Sequence, residues 1–325
     1  MKLSIILPVY NVAEYVERCI RSLENQDIAK SEYELIAVND GSTDQSVQVI
    51  EKLQKEFSNI NLVHKKNGGL SSARNYGIKH AKEEYIWFFD SDDYAEPNVL
   101  KNLIDKIEQD NLDLLYFNGC DMIGDKVMNM FFIPNEQPTS IITGKSYIEN
   151  FFIVISAWIF LVKKEILLEH DLWFTEGIIH EDFEFTLRLY RYIQRMSFFP
   201  HRVYNYVKRP GSITTIKTQT QTLKSIHSWQ TIILLENKNF NDNSDYSMAA
   251  QKWINNHKFS GISALFFNIL PLDIKKKEFK KFKDIGAFNI KQTKFKRFKQ
   301  YFICNILQVS WIFYLLMHFF RVTRK

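Results

Sequence analysis

FFDSDDYAEP, residues 88–97, is the stretch on which the reading of this chain turns. The apolar run EYIWFF that leads into it, residues 84–89, reads as a buried strand, and Asp90, Asp92 and Asp93 crowd its end. Carboxylates that close repel and raise one another's pKa unless a cation or hydrogen-bond donors sit among them. A D-x-D turn meets that need by holding a divalent cation through one carboxylate while the other accepts from a hydroxylated ligand. Hard oxygen ligands suit Mg or Mn, and those ions bridge to phosphate. An acidic turn capping the helix after Pro97 is the alternative.

Working outward, LSIILPV (3–9), YELIAVND (33–40), INLVHK (60–65), YIWFFD (85–90) and LDLLYFNG (112–119) read as strands. Between them AEYVERCIRSLENQ (13–26), TDQSVQVIEKLQKEF (43–57) and SSARNYGIKHAKE (71–83) carry apolar residues three and four apart, as helices do. Ser42, Thr43 or Asp44 is expected to cap the second helix and Ser71 or Ser72 the third. This alternation predicts an α/β fold with a mostly parallel sheet. In such sheets ligands bind outside the carboxyl ends of the strands, which here read PVYN, NDGSTD, NGGLSSAR and DSDD. No G-x-G-x-x-G follows the first strand, so a dinucleotide cofactor loses its main support.

The whole chain agrees with a packed globular protein: 325 residues, 46% hydrophobic and 24% charged. Cys19, Cys120 and Cys304 are far apart and lack metal-ligand spacing, so a disulfide framework or zinc site is not expected and a reducing compartment fits. LSIILPV is broken by Pro8 and is too short for the apolar region of a signal peptide, which points to the cytoplasm. Beyond residue 125 the pattern loosens into strand-like VMNMFFIP, helical GKSYIENFF and apolar SAWIFLV. IIHEDFEFTLRLYRYI (178–193) then opens a helix with two acids in its first turn, where the helix dipole favours them. Two long helical segments, 218–240 and 245–270, lead to KKKEFKKFKD (275–284) and KQTKFKRFKQ (291–300), basic runs with interleaved phenylalanines.

Those runs feed FICNILQVSWIFYLLMHFF (302–320), whose helix would be about 28 Å long against a hydrocarbon core of about 30 Å. Both flanks are basic, and Asn305, Gln308 and His318 interrupt it. A tail lying in the inner membrane face is expected, with a short span or a buried helix as alternatives. No nucleic-acid motif accompanies the basic charge, and nucleic acid is not an expected partner.

The segments LPVYNVAEYVERCIRSLENQ, NDGSTDQS, NGGLSSARNYGI, DSDD and HEDFEF, in this order, resemble the motifs of the family 2 glycosyltransferases, inverting enzymes of the GT-A fold. The resemblance covers the first two thirds of the chain and leaves out the tail. It implies a catalytic domain over 1–215, with a nucleotide-sugar half (1–120) and an acceptor half (121–215), followed by a helical extension (216–325) with a membrane-associating end. Asp40 then matches the carboxylate that accepts from a nucleotide base, uracil N3 being a suitable donor. Pro8 and Tyr10 match residues lining base and ribose, and Glu14 is placed to reach ribose hydroxyls. Gly68 and Gly69 permit close backbone approach, and Arg74 matches a base or phosphate contact. Asp90, with Ser91 beside it, falls at the ribose, and Asp92 at the Mn or Mg ion that bridges the diphosphate. Asp182 matches the catalytic base, with Glu181 beside it. Trp158, His180, Arg209 and Ser212 are candidates for diphosphate or acceptor contacts, each with a structural alternative: core aromatic, capping histidine, or Pro/Gly turn.

The resulting expectation is a metal-dependent transferase that moves a sugar from a UDP-sugar to a hydroxyl of a saccharide, in all expectation lipid-linked, in cell-surface polysaccharide synthesis. The competing readings are a non-catalytic module that binds sugar nucleotides or membrane, and a nucleotidyltransferase. The latter generally carries a glycine- and basic-rich loop after its first strand, which PVYNVAEY is not.

Overall fold

The computed structural model describes residues 2–124, 126–130, 138–151, 155–209, 218–266, 268 and 270–289. By its internal contacts the chain divides into two units, residues 1–177 with 185–212, and residues 178–184 with 213–325. The helical extension therefore includes a short segment that the sequence reading set inside the acceptor half.

The first unit opens with β1 (Leu3–Val9), α1 (Val16–Glu24), β2 (Tyr33–Asn39), α2 (Ser46–Gln54), β3 (Ile60–His64), α3 (Leu70–His80) and β4 (Tyr85–Phe88). Every residue of β1, β2 and β4 is buried, as strands covered on both faces must be. β1 pairs in parallel with β2 and β4, and β2 in parallel with β3. Four of the five strands read from the sequence thus form one parallel block. Their carboxyl ends share an edge.

After β4 come β5 (Tyr94–Ala95), α4 (Leu100–Gln109), β6 (Leu114–Ile123), β7 (Lys126–Met130), α5 (Gly144–Asn150), β8 (Phe160–Lys163), α6 (Lys164–Glu169), α7 (Glu181–Tyr190) and β9 (Met196–Val207). The sheet runs β3-β2-β1-β4-β8-β6-β9-β5, with β7 paired to β6. The fifth strand is thus not a parallel neighbour of β4. Its place is taken by β8, antiparallel to both β4 and β6, because the apolar half of SAWIFLV is a strand. VYNYV (203–207), just before Arg209, is the end of a twelve-residue strand parallel to β6.

Two capping expectations change as well. Asp44 accepts from Ser46 N at 3.0 Å, but the residue at the helix boundary is Gln45, with no side-chain cap of its own. The third helix is entered earlier than its serines suggested, at Gly69, which lies two residues before Ser71 and whose φ of 88° a side chain would strain.

The second unit contains α8 (Gln219–Asn239), α9 (Asp245–Phe266) and α10 (Leu272–Asp284). Thr218 Oγ1 caps α8 by accepting from Gln221 N at 3.1 Å. Ile226, Trp229, Ile233, Ile262, Leu265, Phe279 and Phe282 share its core. The basic run 275–284 is α10, and its phenylalanines point inward rather than toward a membrane. Lys275 is buried too, donating to the carbonyls of Phe266 and Asn268 at 3.1 and 3.0 Å, while Lys276, Lys277, Lys280 and Lys283 are exposed. Among the described residues no helix is long and apolar enough to cross a membrane. The segments 291–300 and 302–320, on which the membrane expectation rests, lie outside the described residues, as does Ser212.

Candidate active site

Strand register sets the site out. Val9 pairs with Asn39, and Asn39 with His64, so Tyr10, Asp40 and Lys65 leave the sheet side by side. Tyr10 is 52% exposed, an aromatic ring left in solvent at a strand end, which suits stacking on a nucleotide base. Glu14 is exposed four residues on. The loops after β1 and β2 are stitched together: Thr43 N donates to Asn11 Oδ1 at 2.8 Å, Val12 N to Ser46 Oγ at 2.9 Å, and Ala13 N to Asp44 Oδ2 at 3.0 Å. Pro8 is buried in β1 and its carbonyl accepts from Ser91 Oγ at 2.6 Å. Ser91, placed with the nucleotide-sugar contacts by the sequence, is itself buried, and this bond ties the DSDD turn to β1.

Asp40 organises the next loop. Its carboxylate accepts from Gly68 N at 2.9 Å, Gly69 N at 2.7 Å and Lys65 Nζ at 2.5 Å, and its carbonyl accepts from Asn67 Nδ2 at 2.8 Å. Gly68 has no room for a Cβ, which would lie 2.7 Å from Ser72 Oγ and 2.9 Å from Lys65 Nζ. The asparagine and two glycines of KKNGG are thus wrapped around one acid. Lys65 and Asn67 escaped the sequence reading, although KKN directly precedes the glycines it singled out.

The three acids of DSDD have three different partners, which answers the repulsion their spacing implies. Arg74, fully buried on α3 with its guanidinium 5.1 Å from the Phe174 ring centroid, pairs with Asp90 at 3.0 Å. Asp92 pairs with Arg209 Nε at 2.7 Å, and that guanidinium lies 4.8 Å from the Tyr15 ring centroid. Asp93 is wholly buried and accepts from Tyr204 Oη at 2.5 Å and Val207 N at 2.7 Å, both on β9. Tyr204 Oη also accepts from Asp90 N at 3.3 Å. Burial, and then the charges of Asp92 and Asp90, push the Asp93 carboxyl well above the usual range, against the pull of those two donors.

Among the described residues no three His, Cys, Asp or Glu side chains gather into a closed metal site. Asp92, its side chain 23% exposed, fits instead an ion that takes its remaining ligands from phosphate and water. Arg209 beside Asp92 shows that the carboxylate already holds a cationic group. Trp158 is buried, 7% exposed, with Tyr204 stacked on it at 4.3 Å and Tyr206 at 6.0 Å, while its carbonyl accepts from Trp87 Nε1 at 2.8 Å. Of its two readings the geometry is that of a core aromatic.

Residues 4–164 match the family model described as Glycosyl transferase family 2. A Bacillus subtilis (strain 168) protein named uncharacterized glycosyltransferase EpsJ is 34% identical over 221 residues, 66% of this chain. The chain belongs to glycosyl transferase family 2. The poly(ribitol-phosphate) beta-N-acetylglucosaminyltransferase TarS of Staphylococcus aureus (strain Mu50) is 29% identical over 214 residues, 65% of this chain. The aligned region spans 63% of the Bacillus protein's length and 36% of the Staphylococcus protein's. The crystal structure of S. aureus TarS 1-349 in complex with UDP-GlcNAc superposes with a TM-score of 0.72 over 88% of this chain and 81% of that one, at 24% identity. The Pyrobaculum calidifontis mannosyltransferase PcManGT, solved with GDP-Man and Mn2+, gives 0.54 over 81% of this chain and 74% of that one, at 15% identity. These likenesses show the fold, the GT-A arrangement expected from the ordered motifs.

The acids of HEDF, Glu181 and Asp182, belong to the second unit and are described with it. Both lie in the first turn of α7, Glu181 buried and Asp182 half-buried. His180 before them has a φ of 67° in a non-glycine residue, and burial lowers its pKa.

Proposed function

We propose that this protein transfers a sugar, with inversion, from a UDP-sugar to a hydroxyl of a saccharide acceptor. The observation that carries the reading is the edge formed by β1 to β4, where Tyr10, the Asp40-bound glycine loop, the Arg74–Asp90 pair and Asp92 emerge together. Tyr10 offers a face for the base, and Asp40 an acceptor for an imide N–H. Asp90 accepts from ribose hydroxyls, held in place by Arg74, and Arg209 brings positive charge to the diphosphate. Asp92 would hold a Mn or Mg ion, which when bound supplies Lewis-acid neutralisation of the diphosphate. Asp182 takes the proton of the acceptor hydroxyl as its oxygen bonds to the anomeric carbon, and the diphosphate leaves on the opposite face with the bonding electron pair. No covalent nucleophile is needed.

The donor nucleotide rests on Asp40 and on the UDP-GlcNAc seen with TarS; the GDP-Man of PcManGT shows that the fold does not fix it. A lipid-linked acceptor, attachment of residues 291–325 to the inner membrane face and a role in surface polysaccharide synthesis are part of this proposal, supported by the tail's composition and by the polymer named in TarS. The test is UDP or GDP release from a panel of nucleotide sugars, with and without Mn or Mg, beside Asp92→Ala and Asp182→Asn. Metal-dependent release from one donor, lost in both variants, is the expected result. Absence of both turnover and metal-dependent nucleotide binding would overturn it.

A further inference from the structure

The segment that carries Glu181 and Asp182 is clamped on both sides by the helices of its own unit. Ahead of the acids, Ile179 N donates to Ser228 Oγ at 2.9 Å, and His180 Nε2 lies 3.1 Å from Ser225 Oγ. The His180 ring stacks on Trp229 at 5.0 Å and 25°. Behind them, Phe183 stands edge-on to Trp229 at 5.2 Å and to His257 at 5.1 Å. Ser225, Ser228 and Trp229 are three and four residues apart and so share one face of α8. His257, on α9, is itself fixed by a hydrogen bond with buried Glu236 of α8.

This clamp holds a backbone that would not hold itself. A non-glycine residue at φ 67° sits in a sparsely populated region, and such conformations persist where the surroundings over-determine them. His180 therefore has a use that requires no ligand: its side chain is anchored to Ser225 and Trp229 one residue before the acids. The matched family region ends at residue 164, before these acids, and the clamping helices lie far beyond it.

We propose that Trp229 and Ser228 of α8, backed by His257 of α9, are positioning residues for Asp182, so that the helical extension is part of the catalytic apparatus. This rests on Asp182 being the base. A base displaced by about 1 Å loses up to about a hundredfold in rate while the donor site is untouched. The cost therefore falls on kcat and leaves donor KM and UDP affinity alone.

The experiment uses the full chain with Ser228→Ala, Trp229→Leu, Trp229→Phe and Asp182→Asn, each checked by circular dichroism and thermal melting. Expected are a kcat lowered about tenfold or more in Trp229→Leu and several-fold in Ser228→Ala, donor KM within about twofold, and recovery of most of kcat in Trp229→Phe, which keeps a ring against His180 and Phe183. If Trp229→Leu unfolds, Ser228→Ala and Trp229→Phe decide the matter by the same split. Unchanged kcat in Ser228→Ala and Trp229→Leu with Asp182→Asn inactive would overturn the positioning role alone. An active Asp182→Asn would instead remove the base assignment on which it rests, whatever the other variants do.

Discussion

Tyr204→Phe isolates the link between β9 and the DSDD turn. The ring stays, tilted against Phe89 at 4.6 Å and stacked on Trp158 at 4.3 Å, so packing is kept and only the hydroxyl is lost. That hydroxyl donates to Asp93 Oδ2 at 2.5 Å and accepts from Asp90 N at 3.3 Å. Tyr204 and Asp93 are both fully buried, so water cannot replace it. Leaving the buried Asp93 oxygen without its donor costs about 1–3 kcal/mol, and the longer bond contributes about 0.5–1 kcal/mol, so a loss of about 3 kcal/mol is expected. In a unit of this size that lowers Tm by about 6–12 °C. Differential scanning calorimetry measures it, and isothermal titration with UDP and Mn should show weaker binding as the turn loosens. A Tm drop below about 2 °C with unchanged UDP affinity would refute the view that β9 holds the acids in place.

Two further outcomes follow from the site and its clamp. Gly69→Ala meets no atom within 4 Å of the added Cβ, so its cost is the backbone strain at φ 88° alone, about 1–2 kcal/mol by urea titration, whereas Gly68→Ala carries no positive φ and is opposed instead by contact of its Cβ with Ser72 and Lys65. His180 has its pKa lowered by burial, so the folded chain prefers the neutral ring; the stability this confers is present above the unfolded value of about 6.5 and is lost as pH falls through the lower folded value. Melting temperatures measured between about pH 7.5 and 5 should therefore fall less in His180→Gln than in the parent protein.

Much of the nucleotide-side edge was legible because its signals are local. The alternation of apolar strands and amphipathic helices fixes β1 to β4 within a few residues, and the glycines and acids at their ends are neighbours in sequence as well as in space. Even the error at α3 was local: two serines suggested a cap where the chain turns at Gly69 instead. The phenylalanines of α10 misled for a different reason. A basic amphipathic helix has the same composition whether its apolar face meets a membrane or, as Phe279 and Phe282 do, a neighbouring helix.

By itself, then, the sequence determined the parallel block, the edge its strand ends share and the acids that line it, since each follows from periodicity or turn chemistry over a few residues. Only the tertiary structure decided which partner each acid has. Tyr204 and Arg209 lie 111 and 117 positions from Asp93 and Asp92, on or just after a strand that no short pattern announced. β8, which inserts between β4 and β6, was likewise set by pairing rather than propensity, because a short apolar run suits strand or helix equally until neighbouring strands supply its hydrogen bonds.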